Sequence, residues 1–198
     1  TQTWLAGDAP RRVFLGVLPE ACSRHNSPAR PHAITHLVRN ALPGQGTVTL
    51  VIALESSTHA IAATNAVARA LPGYSRKTER PEDPLKIHVA LVPDDDGSID
   101  TESMAILLEE IRYAGRLVDM PTAELHTEAF VELARETAAD LGTDISVLEG
   151  DSLAHAGLGG LWGVEKAAVH PPALVIMDYT PDDPGPDTKT IGWVGKGI

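Results

Sequence analysis

Hydrophobic and polar positions in the first half of the chain switch between a strand period and a helix period. Arg12-Val13-Phe14-Leu15-Gly16-Val17-Leu18 is a short continuous apolar run and predicts a buried strand. A loop rich in Ser, Asn, Pro and Arg follows to Arg30. Pro31 suits the first turn of a helix, in which Ile34, Leu37, Val38, Ala41 and Leu42 keep helical spacing until Pro43-Gly44 stops it. Thr47 to Leu54 predicts a second buried strand, carrying Val48, Leu50, Val51, Ile52 and Leu54. A second helix runs from about Thr58 to Leu71, with Ile61, Val67, Ala68 and Leu71 as its apolar face and Pro72-Gly73 as its stop. Lys86 to Val92 predicts a third strand. Strand, helix, strand, helix, strand in this order implies an α/β fold with a largely parallel sheet covered by helices.

Pro93-Asp94-Asp95-Asp96-Gly97 reads as a solvated acidic turn in preference to a metal site, because adjacent aspartates cannot all point one way. The main boundary falls here, dividing residues 1–98 from residues 99–198. A long helix is expected from Asp100 to Gly115, with Met104, Leu107, Leu108, Ile111 and Ala114 as its stripe; the segment Arg116 to Pro121 breaks it. Thr127 is placed to cap the next helix, with Glu128 and Glu132 near its positive end. Phe130, Leu133, Ala134, Ala138 and Leu141 form the expected buried face of that helix. Asp144 to Leu148 and Ala173 to Met177 predict strands, on either side of a glycine-rich stretch from Ala154 to Gly163. The acidic, proline-rich turn from Tyr179 to Asp187 leads into Thr188 to Ile198. There Ile191, Trp193 and Val194 predict a strand that needs burial, running into Gly195-Lys196-Gly197.

Composition narrows the function classes. The chain has 198 residues and is 43% hydrophobic but only 4% aromatic, so its core is aliphatic and alanine-rich. A net charge of -11 argues against a nucleic-acid or anionic-membrane surface. The longest apolar runs are strand-sized, too short for a transmembrane helix. The single cysteine, Cys22, excludes an internal disulfide framework and fits a reducing cytoplasm.

There is no Gly-x-Ser-x-Gly elbow, no His-Glu-x-x-His and no cysteine pair for zinc. The eight histidines are dispersed in sequence. His88 lies inside a strand and reads as a satisfied structural histidine; His170, before Pro171-Pro172, orders a loop entering the next strand. Gly157-Leu158-Gly159-Gly160-Leu161-Trp162-Gly163 lacks the preceding strand of a dinucleotide loop, so it reads as a glycine-rich turn packed tightly on the sheet, with Trp162 as packing. Lys196 carries two readings, a solvated lysine in a turn or a ligand lysine. A phosphate loop is excluded, because Thr190 stands where its first glycine belongs and Gly197 where its Ser or Thr belongs.

Three blocks raise the ligand reading. They are Arg116-Leu117-Val118-Asp119-Met120-Pro121-Thr122-Ala123-Glu124-Leu125-His126-Thr127, then Gly157 to Ala167 with His170-Pro171-Pro172, and last Trp193-Val194-Gly195-Lys196-Gly197-Ile198. Together they resemble the cytosolic leucyl aminopeptidase family of dinuclear metallopeptidases, most of all its probable aminopeptidase-like 1 branch, to which Ser27-Pro28-Ala29-Arg30-Pro31-His32 is also similar. The family's Asn-Glu-Met is here Ala123-Glu124-Leu125, one departure. The resemblance is firm over roughly residues 100–198 and loose before them.

The resemblance implies an N-terminal macro-like α/β domain over residues 1–98, then a linking helix and the start of an α/β metallopeptidase domain over 99–198. It implies that Lys196 is a metal ligand, that two divalent ions (zinc or manganese) activate water, and that N-terminal residues are removed from peptides. An amine coordinates only when neutral. The family's other ligands and catalytic residues fall beyond Gly-Lys-Gly-Ile, so a companion chain or segment after Ile198 is expected to supply them. This chain alone is then expected to be inactive. A hexamer of the complete enzyme and a cytoplasmic location are also implied. The alternative is a relative with lost or altered tailoring activity, self-processed after Ile198 to expose an N-terminal nucleophile.

Overall fold

The computed structural model describes residues 1–4, 7, 12–22, 24–71, 73–79, 82–165 and 167–196. They fall into two compact units, Thr1–Asp119 and Met120–Ile198. The architecture is mixed α/β, with three two-stranded sheets among the described residues. No helix among those residues is long and apolar enough to cross a membrane.

In the first unit, Pro31 occupies the first turn of α1 (Pro31–Ala41), where its missing N–H costs nothing. The preceding Arg30 adopts a left-handed conformation, φ 51° and ψ 49°, unusual for a residue with a Cβ. Its guanidinium holds that turn by donating to the carbonyls of Pro28 and Glu20, both at 2.7 Å. Helix α2 (Ala60–Ala70) follows a short 3-10 turn at Ser57–His59. Ala60, Ala63, Thr64, Ala66, Val67, Ala68 and Ala70 are buried, and small side chains let α1 approach. The Thr35 hydroxyl donates to the Ala66 carbonyl at 2.9 Å and Arg39 donates to that of Arg69 at 2.8 Å. Ile61, expected on the buried face, is 52% exposed; the alanines carry that face instead. Pro72, half of the expected stop, lies outside the described residues.

Strands β3 (Thr47–Leu54) and β4 (Lys86–Pro93) pair in parallel, from Thr47 opposite Lys86 to Leu54 opposite Pro93. Leu50, Ile52, Leu54 and Leu91 turn to the cluster built by Ile34, Val38, Ala63, Val67 and Met104. Val51 is 67% exposed, so β3 is covered on one face and is not the fully buried strand its composition predicts. The first apolar run also departs from expectation. Only Arg12–Phe14 forms a strand, β2, antiparallel to β1 (Gln2–Trp4). The hairpin is exposed, Leu15 and Val17 are 66% and 80% exposed, and only Leu18 reaches the core. The Arg12 guanidinium lies 4.3 Å from the Phe14 ring centre, a cation–π contact that suits an open surface. The parallel sheet is thus two-stranded among the described residues, and the first apolar run is not part of it. His88, expected to be a satisfied structural histidine, lies on the exposed face of β4.

The acidic turn after β4 is structural. Asp95 accepts from the Ser57 amide at 3.0 and 3.1 Å, from the Ser57 hydroxyl at 3.3 Å and from the Gly97 amide at 3.2 Å. Those bonds, the Ser57 amide first, hold its carboxyl below the usual value. Helix α3 (Thr101–Asp119) is opened by Asp100, which accepts from the Ser103 hydroxyl at 2.6 Å and amide at 3.1 Å. The helix continues past Gly115 to Asp119, ending where Pro121 forces it to. Only Met104 of the expected stripe is buried, and Leu107 is 41% exposed.

In the second unit, α4 (Thr127–Leu141) is capped by His126, not Thr127: His126 Nδ1 accepts from the Ala129 amide at 3.3 Å. Its buried residues are Val131 and Ala138, while Phe130 and Leu141 are 43% and 66% exposed. Leu133, Ala134 and Ala138 hold to the expected face, the first two half-buried, and Val131 is buried in place of Phe130. Gly142, at φ 64°, ends the helix in the left-handed conformation that favours glycine. Helix α4 packs on the antiparallel pair of β5 (Asp144–Glu149) and β6 (Ala173–Asp178).

Between those strands the glycine-rich stretch forms two short helices, α5 (Asp151–His155) and α6 (Gly159–Glu165). Leu153 of α5 is fully buried. Gly157 turns the chain at φ 79°. A Cβ at Gly159, Gly160 or Gly163 would meet nothing within 4 Å, which overturns the expected tight glycine packing. The Trp162 indole donates to Asp151 at 3.1 Å and joins α6 to α5.

Candidate functional site

The most concentrated chemistry among the described residues lies where α4 begins. His126 caps the helix, and Glu128 stands in its first turn, where a carboxylate is favoured by the exposed amides. The third member, His170, arrives from the other end of the unit. Pro171 and Pro172 keep the backbone extended as it leaves His170 for β6. The packing of α4 on β6 then brings His170 to Glu128, 42 residues away in sequence.

His170 Nδ1 lies 2.8 Å from Glu128 Oε2, and His126 Nδ1 lies 4.0 Å from the same oxygen. The two imidazoles stack with centres 3.6 Å apart and planes 4° from parallel. The hydrogen bonds assign opposite tautomers. His126 Nδ1 accepts the Ala129 amide, so its lone pair is on that nitrogen, whereas His170 Nδ1 donates to the carboxylate. One ligand atom from each of the three residues lies within 4.8 Å of the other two. The histidines are half-buried and Glu128 is exposed, so the cluster opens to solvent.

Sequence reasoning missed this cluster. Capping preference points to Thr127 and not to His126, and the place of His170 before two prolines points only to an ordering role in its loop. The visible signal was slight: a His-x-Glu step at a helix start and a histidine before two prolines.

The sequence-predicted ligand, Lys196, is an exposed residue near the end of the described residues. Residues 188–196 form no strand, because no neighbouring strand pairs with them among the described residues. Ile191, Trp193 and Val194 are 73%, 92% and 101% exposed, contrary to the expected burial. The Lys196 side chain is exposed, and a Cβ at Gly192 or Gly195 would meet nothing within 4 Å. Gly197 and Ile198 lie outside the described residues. Of the earlier block, Arg116–Asp119 completes α3, and Pro121 accepts from the Glu124 and Leu125 amides in a tight turn carrying the exposed Ala123.

Two family models match the chain. One, described as the M17 aminopeptidase N-terminal domain 2, matches residues 5–80; the other, the catalytic domain of the cytosol aminopeptidase family, matches residues 112–198. The chain belongs to the M17 cytosol aminopeptidase family. It is 38% identical to the probable aminopeptidase NPEPL1 of Mus musculus, over 93% of this chain and 36% of that protein. It resembles the structure of leucyl aminopeptidase from Trypanosoma brucei in complex with actinonin, at TM-score 0.78 and 30% identity, over 92% of this chain and 37% of that one. It also resembles the bottromycin maturation enzyme BotP in complex with Mn, at TM-score 0.55 and 28% identity, over 78% of this chain and 33% of that one. The chain thus spans about a third of the length of the relatives it matches. The M17 family is one of metal-dependent aminopeptidase hydrolases, and this chain corresponds to the N-terminal part of its members.

Proposed function

We propose that this chain forms the N-terminal part of a dinuclear metallo-aminopeptidase that removes residues from the free N-termini of peptides. The observation that supports this most is the catalytic-domain match, which runs through Trp193-Val194-Gly195-Lys196-Gly197-Ile198. In this reading residues 1–98 are the accessory domain and α3 is the linking helix. Lys196 supplies one metal ligand, next to Gly195, where an added Cβ would meet nothing within 4 Å. One neutral amine fits one coordination position, and the relatives are about three times as long as this chain, so in this reading the remaining ligands lie in the part of the enzyme that the relatives carry beyond it, and the 198 residues alone are inactive. When bound, a pair of zinc or manganese ions lowers the pKa of water and polarises the scissile carbonyl. The lysine's part is to position an ion, and the exposed segment must be covered by the rest of the enzyme to exclude water. A hexamer and a cytoplasmic location follow from the same reading. A relative that has lost its activity is the less favoured reading, since the mouse protein and the Caenorhabditis elegans protein it matches in sequence are both named as aminopeptidases.

Lys196→Ala in the complete enzyme tests this. Release of N-terminal residues should fall at least a hundredfold, and the bound-metal stoichiometry should drop below that of the parent. Unchanged activity and metal content would remove Lys196 from the centre. Turnover of peptides by the 198-residue chain alone would refute the dependence on later residues.

A further inference from the structure

We propose that His126, Glu128 and His170 form a binding site for a divalent transition-metal ion of the zinc class, tying the start of α4 to the segment that feeds β6. The site uses neither Lys196 nor the aminopeptidase reading.

Geometry carries the inference. Three donor atoms converge from two segments 42 residues apart in sequence, each within 4.8 Å of the others. Tetrahedral coordination with bonds of about 2.0–2.1 Å requires ligand atoms roughly 3.4 Å apart. The separations of 2.8 Å and 4.0 Å to the Glu128 oxygen bracket that value. Small side-chain shifts therefore open the first and close the second. The donor set also selects the ion. Two imidazoles and one carboxylate suit zinc and its neighbours, whereas magnesium and calcium require oxygen ligands. Glu128 is half exposed at 54%, which leaves a fourth position for water.

Binding exchanges hydrogen bonds for coordination without a change in net proton count. His170 moves its proton from Nδ1 to the other ring nitrogen, and Nδ1 turns from the carboxylate to the ion. His126 Nδ1 gives up the Ala129 amide, which passes to water at the open helix end. The positive ion then faces Glu128. The stacked rings must tilt apart, since each lone pair has to aim at one point.

The test is a zinc titration of the 198-residue chain by calorimetry, with Co²⁺ as a spectroscopic probe of coordination. The parent chain should bind zinc saturably, its melting temperature should rise with zinc, and Co²⁺ should give the visible absorption of a tetrahedral nitrogen–oxygen site. His170→Asn and His126→Asn should each weaken zinc at least tenfold and abolish both responses, whereas His88→Asn, on the exposed face of β4, should leave them unchanged. Should His126→Asn fail to fold, Glu128→Gln, at an exposed position, gives the same reading. Equal zinc affinity in His170→Asn and the parent, or no saturable binding by the parent, would overturn the proposal. Loss of binding in Lys196→Ala alone would move zinc to that residue and overturn it too.

Discussion

Gly73 lies so close to α3 that a Cβ on it would stand 2.8 Å from the Arg116 backbone nitrogen and 3.0 Å from the Arg112 carbonyl oxygen. Both obstacles are backbone, which cannot swing aside. Gly73→Ala should therefore destabilise the chain by about 1–3 kcal/mol, the usual cost of overpacking. Gly115, inside the same helix, has nothing within 4 Å of its missing Cβ. Gly115→Ala should stabilise by roughly 0.5–1 kcal/mol, the penalty of a glycine in a helix interior. Urea unfolding of the two variants should show shifts of opposite sign, and shifts of the same sign would contradict this account.

Asp95 gives the first unit a dependence on acid. Its carboxyl is held below the ordinary 3.8, first by the Ser57 amide and then by the Ser56 side chain. Because the folded value is the lower one, its contribution is complete above the unfolded value and disappears as pH falls through the folded one. Asp95→Ala should lower the urea midpoint at neutral pH, and the gap from the parent should narrow as pH falls from the ordinary carboxylate value through the lower folded one. A gap that stays constant with pH would mean that the carboxylate charge contributes nothing.

Leu153 and Val164 lie on the neighbouring helices α5 and α6, but Leu153 is fully buried and Val164 is 84% exposed. Leu153→Ala should cost about 2–5 kcal/mol through lost burial and the cavity left behind. Val164→Ala should stay within about 0.5 kcal/mol of the parent. Guanidinium unfolding followed by far-ultraviolet circular dichroism measures both.

Local signals in the sequence located most of the elements. Pro31 marked the start of α1, and the apolar runs at Thr47, Lys86, Asp144 and Ala173 marked β3 to β6. The family was legible in the Gly157–Ala167, His-Pro-Pro and Gly-Lys-Gly-Ile wording. What escaped depends on partners that spacing cannot show. The Ile191–Val194 run looks like a strand, yet strands exist only by pairing. Phe130 and Leu141 are spaced for burial, but the sheet meets α4 on the face of Val131 and Ala138. The His126–Glu128–His170 cluster is a product of tertiary packing. No local rule joins residues 42 positions apart, and capping preference pointed to Thr127 instead.

The two pairings of longer strands differ in how they can come together in time. Along the antiparallel β5–β6 pair, each rung away from Glu149 and Ala173 closes a longer stretch of chain. Pairing can therefore begin at that rung, beside the bond from the Gly150 amide to the Pro172 carbonyl, and zip outward. In the parallel β3–β4 pair every rung, from Thr47 with Lys86 to Leu54 with Pro93, closes the same length of chain. No rung has an entropic head start. Helix α2 lies within that stretch, so its docking on the strands is expected to accompany their pairing. Ala63→Gly and Val67→Ala, both in the cluster against these strands, should therefore slow folding more than they speed unfolding, which stopped-flow refolding and unfolding of the two variants measure.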